Sequence, residues 1–72
     1  MAAEMRSVFS SNVSEIGYDA DTAELFVTWR SGKTSAYSGV PDDVARQVVN
    51  AASVGSAVND MIKAAGYPHR YI

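Results

Sequence analysis

The hydrophobic period of this chain changes once, at Val40-Pro41. Before that point apolar and polar residues alternate, as in Leu25-Phe26-Val27-Thr28-Trp29. After it, apolar residues recur about every four, as in Val44, Val48 and Ala52. A chain with its strands first and its helices last predicts an α+β domain. The expected architecture is a three-stranded antiparallel meander followed by two helices packed on one face.

The first strand is expected over 13–19, with Ser14, Ile16 and Tyr18 on one face. Gly17 inside that run argues for a bulge or a close backbone approach. Asp19-Ala20-Asp21-Thr22 reads as a turn, because Asp side chains bond nearby backbone N–H groups. The second strand, over 24–30, sends Leu25, Val27 and Trp29 to one face and Phe26, Thr28 and Arg30 to the other. Ser31-Gly32 reads as a two-residue hairpin turn, and the third strand follows over 33–37. Residues 6–10 could add an edge strand.

Pro41 opens the first helix, and Asp42 and Asp43 stabilise the positive end of its dipole. Its apolar stripe is Val44, Ala45, Val48, Val49 and Ala52, with an end near 51 or 52. The second helix begins between Ser53 and Ser56, each a reasonable cap. Its stripe is Val54, Val58, Met61, Ile62 and Ala65. Gly66 caps its end and Pro68 prevents continuation. The tail 67–72 is too apolar for a free end, so it packs back or adds an edge strand.

At 72 residues the chain is a single small domain. A domain this size buries only about 60% of its unfolded surface. With no cysteine, disulfides, thiolate metal sites and cysteine nucleophiles are excluded. Six basic residues against eight acidic ones give a net charge of −2, which disfavours strong non-specific attachment to a phosphate backbone. No apolar run approaches the ~20 residues of a membrane span. The start, Met1-Ala2-Ala3-Glu4-Met5-Arg6, has no apolar core of a secretion signal. The cytoplasm is therefore the expected location, and the sequon Asn12-Val13-Ser14 reads as chance.

Catalytic and metal chemistry find little footing. His69 is the only histidine, so a zinc site would need several carboxylates around one imidazole. Asp19, Asp21 and Glu24 lack the ligand series of a calcium loop. A serine triad would have to use His69, and there is no nucleophile elbow or phosphate loop. The chain reads as non-enzymatic, with no cofactor. Ser10, Ser11 and Asn12 read as polar groups satisfying backbone at a strand entry. Gly55 reads as the site of a close helix–helix approach. Asn59 reads as a buried amide tying the helices to a loop carbonyl, since an unpartnered amide costs roughly 1–3 kcal/mol.

The two-residue turn would pair Arg30 with Lys33, Thr28 with Ser35 and Phe26 with Tyr37. Phe26, Thr28, Arg30, Lys33, Ser35 and Tyr37 would then share the face away from the helices, and this is the candidate binding face. Rings beside basic groups on an open sheet are the elements of a single-strand nucleic-acid platform. A one-residue shift would turn Tyr37 inward.

The order Ser10-Ser11-Asn12-Val13, Ile16-Gly17-Tyr18-Asp19, Tyr37, Val40-Pro41, Ala52-Ser53, Gly55, Asn59, Ile62 and Tyr67-Pro68 resembles the KTSC domain. This short module is named for the C-terminus of some lysyl-tRNA synthetases and also occurs as free-standing proteins in bacteria and phages. The resemblance spans about 8–70. It implies a Tyr-x-Tyr in the third strand, where this chain has Ser35 and Tyr37, and aromatic residues after the second helix's glycine, where it has Ala57 and Val58. It also implies a suspicion of RNA binding, which the missing ring weakens here. The function expected from the sequence is non-catalytic binding of a protein partner or self-association. RNA or single-stranded nucleic acid on the hairpin face is the alternative, and no membrane is involved.

Overall fold

The computed structural model describes residues 5–72, so the reading of residues 1–4 as free of a secretion signal lies outside it. The domain is α+β, and its described residues form five antiparallel strands in the order β1-β2-β3-β4-β5. They are β1 (Arg6–Ser7), β2 (Val13–Asp19), β3 (Glu24–Trp29), β4 (Thr34–Tyr37) and β5 (His69–Tyr71). Helix α1 spans Asp42–Val49. Helix α2 spans Val54–Ala57 and runs directly into a π-helical turn over Val58–Lys63.

The expected three-strand meander is the middle of this sheet, and the count of three is corrected to five. The additions are the edges, two and three residues long. Strands that short carry no readable alternation, and pairing to a preformed neighbour creates them. β1 realises the edge strand expected over 6–10, and β5 is the apolar tail.

The bulge in β2 sits at Ser14, not at Gly17. Val13 pairs with Trp29 and Glu15 with Thr28, so Ser14 is the extra residue, and its hydroxyl donates to the Thr28 carbonyl at 3.2 Å. The core face of β2 is therefore Val13, Ile16 and Tyr18, where a bulge-free strand would have used Ser14. Gly17 pairs with Phe26 on the helix-free face. The β2–β3 turn forms as expected, with the Asp21 N–H donating to Asp19 Oδ1 at 3.0 Å. The Ala23 carbonyl then accepts the Val40 N–H at 3.0 Å.

Two helical stripes cover the sheet. Ala45 and Val48 are buried from α1, and Val54, Val58 and Ile62 from α2 and its π-helical turn. They meet Val13, Ile16, Leu25, Val27, Tyr37 and Val40 in one core. Ala52 and Ala65 are exposed, outside the stripes expected for them, because the helices end earlier, at Val49 and Lys63. Pro41 is the cap of α1 and not its first residue. Ser53 stands at the cap of α2, with its hydroxyl bonded to Ser56 at 3.2 Å and not to the backbone.

Candidate functional site

The β3–β4 turn decides which side chains meet. The Trp29 N–H donates to the Lys33 carbonyl at 2.8 Å and the Gly32 N–H to the Trp29 carbonyl at 2.9 Å. The loop is therefore three residues, Arg30, Ser31 and Gly32, with Gly32 at φ +96°. This is a four-residue turn, Trp29 to Gly32, that ends on a left-handed glycine. Leu25 pairs with Tyr37, Phe26 with Ala36, Val27 with Ser35 and Thr28 with Thr34.

The expected binding face is thereby dismantled. Phe26 and Thr28 keep the helix-free side, while Arg30 leaves the strand for the turn, where its Nε donates to the Ser10 carbonyl at 2.9 Å. Ser35 and Tyr37 turn to the helix side and are buried, and Lys33 goes with them. One extra turn residue moves a whole strand's side chains to the opposite face. Tyr37 is 2% exposed and cannot serve as an open platform on the hairpin.

The same shift assembles a different site. Ser35 and Tyr37 form the floor of a cleft of about 370 Å³ between the β4–β5 edge and the end of the π-helical turn. β5 pairs His69 with Tyr37 and Tyr71 with Ser35, so the period of two sends both rings to the cleft side. Arg70 between them faces the other way and pairs with Glu24 at 2.5 Å. The His69 ring lies 5.2 Å from Tyr37 at 36° and 5.5 Å from Tyr71 at 87°. Trp29 and Lys63 make the opposite wall, and Gly66 and Tyr67 close the rim.

Polar contacts fix this arrangement. The Trp29 Nε1–H donates to Ser35 Oγ at 2.9 Å, which orients the indole. Lys63 Nζ stands 4.5 Å from the centre of the Trp29 ring, a contact worth ~0.5–1 kcal/mol at an exposed site. Lys33 Nζ stands 5.7 Å from the Tyr71 ring. Burial pushes the Tyr37 phenol above its ordinary value; its hydrogen bond with Ser35 lowers it and nearby Tyr71 raises it further. Among the described residues, no carboxylate side chain belongs to the cleft lining. Chemically, the cleft offers ring faces, one fixed hydroxyl and an ammonium.

The remaining motif residues do structural work. Ser10 Oγ donates to Asn12 Oδ1 at 3.0 Å, and both atoms face Gly55. A Cβ on Gly55 would collide with Asn12 Oδ1 and come within 2.5 Å of Ser10 Oγ. The close approach at Gly55 is therefore loop on helix, not helix on helix. Ser11 is exposed. Tyr18 donates its phenolic hydrogen to the Val40 carbonyl at 2.5 Å, just before Pro41. Asn59 is exposed, which corrects its reading as a buried tie. Val54, Val58 and Ile62 form the buried row, and the next residue along the helix points away from it.

Sequence reasoning did not find the cleft. It placed Trp29 only on the helix-facing side of the second strand, weighed His69 only for a zinc site and a serine triad, and left Tyr71 in a tail that packs back or adds an edge strand. The usable signal was His69-Arg70-Tyr71 itself: once the tail is a strand, alternation puts both rings on one face.

A small α+β domain with a ring-lined cleft at one end of its sheet is the class these features define. Residues 9–67 match the KTSC domain, and the chain belongs to that family. The crystal structure of the KTSC domain protein YPO2434 from Yersinia pestis is similar along its whole length. Its TM-score is 0.91 at 32% identity, covering 99% of this chain and 99% of that one. No curated protein matches the chain. Among the described residues, no helix is long and apolar enough to cross a membrane.

Proposed function

We propose that this domain is a non-catalytic binding module and that its cleft takes a base of single-stranded nucleic acid. The observation that carries this reading is the lining. Trp29, Tyr67, His69 and Tyr71 surround the opening, Lys63 stands at its wall, and the described lining residues include no carboxylate side chain. Rings accept a flat base by stacking, and an ammonium accepts the attached phosphate. The net charge of −2 argues only against a long electrostatic footprint. Asp19, Asp21 and Glu24 at the β2–β3 turn, with Asp42 and Asp43 beside them at the start of α1, lie at the opposite end of the sheet from Lys33 and Lys63.

Trp29 is a built-in reporter. Titration of short single-stranded RNA should quench its fluorescence, and log K should fall with log salt at a slope of about −1.4 if Lys33 and Lys63 each neutralise one phosphate. Lys63→Ala should reduce that slope by roughly 0.7, and Tyr71→Ala should weaken binding at every salt concentration. No binding at low salt would overturn the reading.

Protein binding or self-association is the second reading, and Ile72 favours it. This aliphatic side chain is 65% exposed beside Tyr71 and has no stacking role. Concentration-dependent mass in sedimentation, abolished by Ile72→Ser, would support it.

A further inference from the structure

Phe9 is 100% exposed, yet the loop that carries it is tied on both sides. The Val8 N–H donates to the Ser14 carbonyl at 3.1 Å, and the Arg30 N–H donates to the Asn12 carbonyl at 2.9 Å. Arg30 Nε donates to the Ser10 carbonyl at 2.9 Å. The ring therefore takes no part in the described core and is open to a ligand. Its position is bounded. Asn12 is hydrogen-bonded to the residue after Trp29, and three residues span at most ~11 Å. Adding one strand spacing of ~4.8 Å and one Cα–Cα step of ~3.8 Å puts the Phe9 Cα within roughly 20 Å of the Trp29 Cα. Arg30 lies between them, with only its Nε committed to Ser10, and Lys33 stands beside it at the same turn.

We infer that Phe9 is a second stacking position for the same ligand. A single strand seated base-first in the cleft continues past Arg30 and Lys33, and a later base stacks on the Phe9 ring. This inference rests on the nucleic-acid reading of the cleft and adds a footprint to it. The footprint exceeds one or two nucleotides and ends on an aromatic residue outside the cleft.

The test compares a labelled dinucleotide with a labelled single-stranded RNA of eight nucleotides, by fluorescence anisotropy, on wild type, Phe9→Ala and Phe9→Tyr. Phe9→Ala should weaken the eight-nucleotide strand about tenfold, within the range of a lost base–aromatic stack, and leave the dinucleotide unchanged. Phe9→Tyr should restore the longer strand's affinity. Equal binding of the eight-nucleotide strand by wild type and Phe9→Ala, with the dinucleotide still bound, overturns the inference alone and leaves the cleft reading standing. An equal loss for both lengths also overturns it, because Phe9 would then be supporting the cleft. If wild type binds neither strand, the cleft reading fails and this inference falls with it.

Discussion

Gly55 shows how tightly one residue can tie two distant segments. It sits in the first turn of α2, and the Ser10–Asn12 pair occupies the space a side chain would fill. The family motif pieces around Ser10 and Gly55 are therefore two halves of one contact, separated by more than forty positions in the chain. A methyl group there has nowhere to go unless the loop moves. Gly55→Ala should cost about 1–3 kcal/mol, the usual range for overpacking, despite the gain in helix propensity, which is at most ~1 kcal/mol. Asn12→Ala opens the space, so the double variant should be less destabilised than the two single variants together. Urea denaturation of all four proteins measures this coupling; strict additivity would mean that the contact is not the cause.

At the scale of elements, the β3–β4 turn controls more than any helix does. The alternation in β3 was legible, because Leu25, Val27 and Trp29 stand out against Thr28 and Arg30. The length of the turn was not. Both Ser31-Gly32 and Arg30-Ser31-Gly32 place a glycine where positive φ is required, so the turn residues permit either register. Burial chooses between them: the three-residue loop puts Tyr37 and Ser35 beneath the helices. The edge strands were legible only as options, over 6–10 and in the tail 67–72, since β1 and β5 exist only by pairing with β2 and β4. The cleft was hidden by both effects, as it needs the shifted register and β5 together. The α1 and α2 stripes were readable because they depend on local period alone. Gly32 has open space around it but a φ of +96°, so Gly32→Ala should destabilise by about 1–2 kcal/mol through backbone strain. The Trp29 emission should keep its native position once the variant is folded, because burial and not the glycine fixes the register. A folded variant with a solvent-exposed Trp29 spectrum would contradict that.

Over the whole molecule, two phenols, Tyr18 at the acidic end and Tyr37 in the cleft floor, make stability sensitive to alkali. Burial raises the Tyr18 phenol above its ordinary value, and Asp42, Asp19 and Asp43 raise it further. Burial does the same for Tyr37. A phenol is neutral when protonated, so each folded site holds its proton more tightly than the unfolded chain, where phenols ionise near 10. The resulting stabilisation is fully present below about pH 10. It is lost as pH rises from the unfolded value through the folded ones, because the unfolded state releases these protons first. Lysines also titrate in this window, so a variant is needed to isolate the tyrosines. Tyr18→Phe removes the hydrogen bond to Val40 and should cost about 0.5–1.5 kcal/mol at pH 8. Its further loss between pH 9 and pH 11 should be smaller than that of wild type, so the two stability curves converge with rising pH. Urea midpoints at pH 8, 10 and 11 provide the comparison. Parallel curves would show that Tyr18 ionises alike in the folded and unfolded chains, and that its bond to Val40 contributes nothing that depends on its proton.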